Sequence, residues 1–212
     1  MPKFIKVAPV NPDHETIKIA ADVIKAGGTI VYPTRCLYGL GVDAFNAGAV
    51  AKIYSIKQRS AQKPILILID HIKWLERLVT RVPEVATAIM EQFWPGKVTL
   101  VFDASDAVSS DLTGGSGKIG IRLPGHPVAS ALVKSIAGPI TGTSANLSGR
   151  RGCRQISDLE PDFTNRLELI LDAGPLQGGR GSTVVDVAAG GKPVILREGA
   201  ISKGEIIAAV GG

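Results

Sequence analysis

Segments with the 3.6-residue period of helices alternate with short apolar runs of strand character along the whole chain, and glycine or proline punctuates most of the junctions. That alternation constrains the fold more than any other feature, because strands that alternate with helices bury their apolar faces in a sheet with helices packed against it. Ile17, Ala20, Ala21 and Ile24 share one helical face; Asn11-Pro12-Asp13 opens that helix and Gly27-Gly28 closes it. Residues 29–32 form a buried strand that stops at Pro33, and a polar, glycine-bearing stretch runs on to Phe45. Further helices are expected over 47–56, from an Asp70 cap through Val79, over 83–93, over 127–136 and from Lys203. Strands are expected at 64–69, 98–102, 119–123, 139–143, 169–171, 182–187 and 194–197. The 25 glycines and 13 prolines fit many tight turns between such short elements. With no repeat and no low-complexity linker, residues 1–212 read as one α/β domain, an open twisted mixed sheet with flanking helices.

A hydrophobic content of 45% with 20% charged residues argues for a substantial core and against intrinsic disorder. The longest clean apolar run, Ile65 to Ile69, falls far short of the ~18 residues of a bilayer span. The N-terminus lacks the apolar stretch and small-residue cleavage site of a signal peptide. A cytoplasmic protein with no membrane partner is therefore expected. Cys36 and Cys153 form no C-x-x-C pair, and His14, His71 and His126 are scattered, so neither a disulfide framework nor a structural zinc site is expected. A formal charge of +5, from 24 basic and 19 acidic residues, tilts the chain mildly toward polyanions such as nucleotides or RNA.

Familiar phosphate motifs fail. Gly114-Gly115-Ser116-Gly117-Lys118 looks like part of a P-loop, but Leu112 occupies the required glycine position and Ile119 follows the lysine. Neither G-x-G-x-x-G between a strand and a helix nor a G-x-S-x-G turn is present. Four polar segments nevertheless sit at strand ends. The first, residues 32–41, carries Thr34, Arg35, Cys36 and Tyr38; the second is Lys57-Gln58-Arg59 with Lys63 close behind. The third, residues 142–149, carries Ser144 and Asn146; the fourth pairs Ser182-Thr183 with Arg197-Glu198-Gly199. Each also has a plain structural reading: Thr34 and Tyr38 as turn and core residues, the K-x-R as a complement to the helix dipole, the S-x-N loop as a self-bonding turn. Arg122, flanked by Ile121 and Leu123, is a charge in a predicted strand that needs solvent or a partner. His126 reads as a surface turn residue, and Trp74 and Trp94 as core. Taken jointly, cations, hydroxyls and amides at strand ends suit a ligand crevice in an open α/β sheet. Spacing alone does not bring them together.

Six segments in order, TIVYPTRCLYGLG, KQR with Lys63-Pro64 behind it, WPGKVTLVF, GIRLPGHP, TSANLSG and STVVDV, resemble the YrdC-like family of threonylcarbamoyl-adenylate synthases. The match runs from about Asn11 to Ser202 and is similar to the family's short, single-domain form. The resemblance implies an α/β fold with a basic concave site. It also implies a reaction in which L-threonine, bicarbonate and ATP give threonylcarbamoyl-AMP and pyrophosphate, for a threonylcarbamoyl transferase complex that modifies tRNA. On this resemblance the K-x-R and S-x-N signature falls on Lys57, Arg59, Ser144 and Asn146 as catalytic residues. ATP would engage Arg59, Lys63, Lys118, Ser144, Asn146 and Arg197. Thr34, Cys36, Tyr38, Arg122 and Ser182 would surround threonine, with Arg122 on its carboxylate. Mg2+ is implied through the ATP phosphates rather than through protein ligands, and tRNA or double-stranded RNA is implied as a further partner. The family often carries an acidic residue and Thr where this chain has Arg35 and Cys36, and His where it has Leu68; these positions bear on threonine selectivity. The alternatives are a non-catalytic RNA-binding protein of the same fold and carbamoyl-adenylate chemistry on another acceptor. An aromatic content of 5% with no RNP-like platform places the RNA-binding alternative second.

Overall fold

The structure is a computed structural model that describes residues 1–189 and 191–211. In chain order its strands and α-helices are β1 (Lys3–Lys6), α1 (His14–Lys25), β2 (Ile30–Pro33), β3 (Tyr38–Gly41), α2 (Ala47–Lys57), β4 (Ile67–Leu68), α3 (Leu75–Leu78), α4 (Glu84–Phe93), β5 (Val98–Asp103), α5 (Ser110–Thr113), β6 (Lys118–Arg122), α6 (Pro127–Ile136), β7 (Ile140–Thr141), β8 (Thr143–Ser144), α7 (Pro161–Thr164), β9 (Leu169–Asp172), β10 (Thr183–Asp186), β11 (Val194–Arg197) and α8 (Lys203–Val210). The expected α/β architecture is present, with its strands divided between two mixed sheets. A five-stranded sheet has the order β1-β9-β2-β3-β8, and a six-stranded sheet the order β11-β10-β5-β6-β4-β7. Parallel pairs join β1, β9 and β2 in the first, and β10 to β5 and β4 to β6 in the second.

Local chemistry fixes the helices. The Asp13 carboxylate accepts from the Thr16 N–H at 2.8 Å and starts α1, whose Ile17, Ala20, Ala21 and Ile24 are buried. Pro127 opens α6, and that helix buries Val128, Ala129, Leu132 and Val133 beside α1. Strand alternation then separates two cores: Ile30, Tyr32, Leu169 and Leu171 join these helices in a smaller core, whereas Val31 and Ile170 face the larger one.

Three expectations are corrected. The stretch after Pro33 holds strand β3, paired antiparallel to β2, with Gly39 opposite Tyr32. Its glycines are needed because the Tyr32 ring lies across them; a Cβ at Gly41 would sit 2.7 Å from Tyr32 Cε1. The expected strand 139–143 is broken at Gly142, so that β7 belongs to the six-stranded sheet and β8 to the five-stranded one. A Cβ at Gly142 would lie 2.6 Å from Leu66 Cδ1, so glycine lets the chain cross there. Asp70 caps no helix: its carboxylate accepts from Trp74 Nε1 at 2.8 Å, and His71 instead caps a 3-10 turn at Ile72–Trp74 that leads into α3. Strand β1 was not expected, and the expected strand 64–69 pairs only at Ile67 and Leu68. Among the described residues no helix is long and apolar enough to cross a membrane.

Candidate active site

A cavity of about 610 Å³ lies on one face of the six-stranded sheet. Its floor follows from strand parity. On β5, Val98, Leu100 and Phe102 enter the core, while Thr99 and Val101 face the cavity. On β6, Ile119 and Ile121 go to the core and Lys118, Gly120 and Arg122 to the cavity. Ser182, Val184 and Asp186 on and beside β10 continue the same face. The β2–β3 turn supplies Thr34, Arg35 and Cys36, and the crossing at Gly142 brings Thr143 and Ser144 to the wall. Nine of the twelve residues implied by the sequence motifs line this one space: Thr34, Cys36, Tyr38, Arg59, Lys118, Arg122, Ser144, Ser182 and Arg197.

Arg122 is the most exacting of them. Its Nε is buried and has no hydrogen-bond partner. Burial depresses its pKa, and the nearby Arg197 and Arg35 guanidinia depress it further. Arg197 Nη2 donates to the Ser182 carbonyl at 2.8 Å, and the Ser182 and Thr99 hydroxyls are hydrogen-bonded at 2.8 Å. The Cys36 thiol donates to the Arg180 carbonyl at 3.3 Å, and the Thr34 hydroxyl to the Leu37 carbonyl at 2.5 Å. Tyr38 gives its hydroxyl to the Gly174 carbonyl at 2.7 Å and accepts from the Ala173 N–H at 3.0 Å. Burial pushes Tyr38 up to about 12, so it shapes the pocket as a neutral phenol. Arg59 is pinned by donating to the carbonyls of Lys63 at 3.3 Å and Pro64 at 2.8 Å. Lys118 Nζ lies 2.6 Å from Asp186 Oδ2, and that hydrogen bond raises the lysine's pKa.

Lys57, Lys63 and Asn146 do not line the cavity. Lys57 is 1% exposed, and its ammonium donates to the Ser144 carbonyl and, at 2.8 Å, to the Asn146 carbonyl. The Ser148 N–H donates back to the Lys57 carbonyl at 2.7 Å. Lys57 thus grips the S-x-N loop through the Ser144 and Asn146 carbonyls. Gln58 ends α2 in the left-handed conformation, and Lys57, in the helix's last turn, is buried. Burial foremost, then Arg59, lowers Lys57 to about 7. Lys63 is exposed at the lip. The Asn146 amide donates to the Leu147 carbonyl at 2.6 Å and the Arg150 carbonyl at 2.9 Å, which leaves Oδ1 buried with no partner. Leu68 belongs to the smaller core, and Leu66 faces the cavity in its place.

Sequence reasoning gave no role to Thr99, Asp186 or Lys97, all of which line the cavity, as does Arg35. Strand parity counted from Ser182 would have found Asp186, and the apolar alternation of Val98, Leu100 and Phe102 puts Thr99 on the opposite face of its strand. His126, expected on the surface, caps α6 by accepting from the Val128 N–H at 3.3 Å and also lines the cavity; burial lowers its pKa. Among the described residues no group of three or more His, Cys, Asp or Glu could hold a metal ion. Asp186 is the sole carboxylate of the cavity lining among the described residues, and it is paired with Lys118.

A mixed-sheet α/β fold whose strand ends converge on a basic cavity, with a buried guanidinium nitrogen unpaired on its floor, defines a site for a small anionic ligand. Residues 22–199 match the profile of the Sua5/YciO/YrdC family, described as telomere recombination, and the chain belongs to that family. The threonylcarbamoyl-AMP synthase of Bacillus subtilis is 39% identical over 95% of this chain and 58% of its own length. That of Pyrococcus abyssi is 36% identical over 92% of this chain and 57% of its own length. The crystal structure of P. abyssi Sua5 complexed with L-threonine superimposes with a TM-score of 0.92 at 35% identity, covering 98% of this chain and 61% of that one. The chain therefore spans less than two thirds of the length of these relatives.

Proposed function

We propose that the chain is an L-threonylcarbamoyladenylate synthase, forming threonylcarbamoyl-AMP and pyrophosphate from L-threonine, bicarbonate and ATP. The observation that carries this reading is the buried, unpartnered Arg122 Nε on the floor of a cavity lined by six cations and one carboxylate. A buried guanidinium N–H without a partner needs an acceptor, and a carboxylate matches a guanidinium in shape and charge. The likeness to a relative crystallised with L-threonine supports placing that amino acid here. Thr34, Cys36, Tyr38 and Ser182 line the same cavity as Arg122, with Arg197 bonded to Ser182, and Arg59, Lys118 and Ser144 of that lining would take the triphosphate and its nucleoside.

The chemistry needs no dedicated base. The threonine amine adds to carbon dioxide derived from bicarbonate, forming a C–N bond and releasing one proton to water. The resulting carbamate is already an anionic oxygen nucleophile. It attacks the α-phosphorus, a new P–O bond forms, and the bond to pyrophosphate breaks. Arg59 and Lys118 place positive charge at the phosphates, and the loop held by Lys57 sets the positions of Ser144 and Asn146. The cavity offers no free carboxylate as a metal ligand, so magnesium, which supplies charge neutralisation when bound, would be carried by phosphate oxygens. The product would serve a transferase complex that modifies tRNA in the cytoplasm.

Pyrophosphate release from ATP, with threonine and bicarbonate each present or omitted, tests the reading. Release that needs both is expected. Release without threonine would assign another acceptor. No release from folded protein, together with tight and steeply salt-dependent RNA binding, would replace the enzyme with an RNA-binding protein.

A further inference from the structure

We infer that Arg35 makes the amino-acid end of the cavity a dicarboxylate site, in which Arg122 takes one carboxylate and Arg35 a second on the same ligand. The inference rests on the synthase reading, whose reaction passes through an N-carboxylated amino acid, but its evidence is separate. Three of the other cavity cations are already engaged. Arg59 donates to two carbonyls, Lys118 pairs with Asp186, and Arg197 donates to Ser182. Arg35 makes only a contact at the limit of hydrogen bonding, from Nη2 to the Arg180 carbonyl at 3.5 Å. It lines the cavity and acts electrostatically on Arg122, as Arg197 does, and no carboxylate is among the groups acting on Arg122.

Three guanidinia around one corner without a carboxylate repel one another, and they also repel the ammonium of a zwitterionic amino acid. Converting that ammonium into a carbamate removes the repelled charge and puts a second carboxylate a few bonds from the first. The corner therefore selects the N-carboxylated form over the free amino acid. Arg35 would thereby favour carbamate formation by binding its product, with no bond made or broken by the arginine itself.

Isothermal calorimetry without ATP tests this, using L-threonine and N-oxalyl-L-threonine, a stable dicarboxylate whose amide nitrogen is uncharged like that of a carbamate, as probes on the wild-type chain, Arg35→Gln and Arg35→Lys. The wild type is expected to bind the dicarboxylate about tenfold more tightly than threonine. Arg35→Gln should lose that preference while its threonine affinity is unchanged or improved, and Arg35→Lys should keep part of it. Equal wild-type affinities, or a preference that survives Arg35→Gln, would overturn the inference. Pyrophosphate release reports on the synthase reading separately. A dicarboxylate preference without turnover would refute that reading and leave the site standing, whereas turnover without the preference would refute the role of Arg35 alone.

Discussion

Lys57 is the residue at which burial most changes the chemistry a side chain can do. The sequence places Lys57 two positions before Arg59, and spacing carries no information on which way the last turn of α2 faces. In the fold its ammonium replaces water with two carbonyls of the Ser144–Asn146 loop. Its pKa falls from 10.5 to about 7. Between those values the unfolded chain holds a proton that the folded chain has released, so the contribution of this group to stability rises with pH. It is lowest below about pH 7, and the slope reaches at most ~1.4 kcal/mol per pH unit. Urea midpoints at about pH 7 and about pH 9.5 should therefore shift in favour of the wild type relative to Lys57→Met as pH rises. Parallel pH dependence in the two proteins would show that Lys57 stays charged in the fold. Arg122 was more legible: a charge between two apolar residues of a short strand demanded a partner, and its Nε lies unpaired in the cavity.

At the scale of elements, strands with clean alternation could be read and those defined by a partner could not. Residues 118–122 alternate apolar and polar or small side chains, and they form β6 with one parity in the core and the other in the cavity. β3 escaped notice because two glycines in four residues read as a loop; they are there for the Tyr32 ring. Gly41→Ala brings a methyl against a fully buried ring whose hydroxyl donates to the Thr141 carbonyl at 3.0 Å. A loss of about 1–3 kcal/mol in urea unfolding is expected, and an unchanged midpoint would mean that the β2–β3 pair yields more easily than this packing implies. The division of residues 139–143 between β7 and β8 had no local signal, since it depends on which sheet each half meets.

For the whole molecule, a charge of +5 gave only the sign of the partner, while the fold gathers six of the cations around one cavity. Asp186 is the single opposing charge in that lining, and it holds Lys118 at 2.6 Å. On the proposed synthase reading, Asp186→Asn should free the lysine and strengthen ATP binding about threefold at low salt, with a steeper loss of affinity as salt rises. Equilibrium binding of a fluorescent ATP analogue across a salt series measures both, and weaker binding would mean that the pair is needed to orient Lys118. Helix and strand order was legible throughout most of the chain because it follows local period. The pairing of strands into two sheets was not, because it joins residues as distant as Lys3 and Leu169.

That long-range pairing has a cost during synthesis. The cavity floor needs β10 beside β5, which brings Thr183 opposite Val98, and the other sheet needs β9 between β1 and β2. A ribosome that has made the first half of the chain has therefore released helices able to form at once, but also β2 and β5 with open edges. Such edges pair with whatever strand arrives first, including one from a neighbouring nascent copy. Residues 169–197 then act as the closing segment, so truncated or stalled chains of this protein should be recovered as aggregates rather than as soluble, partly folded protein.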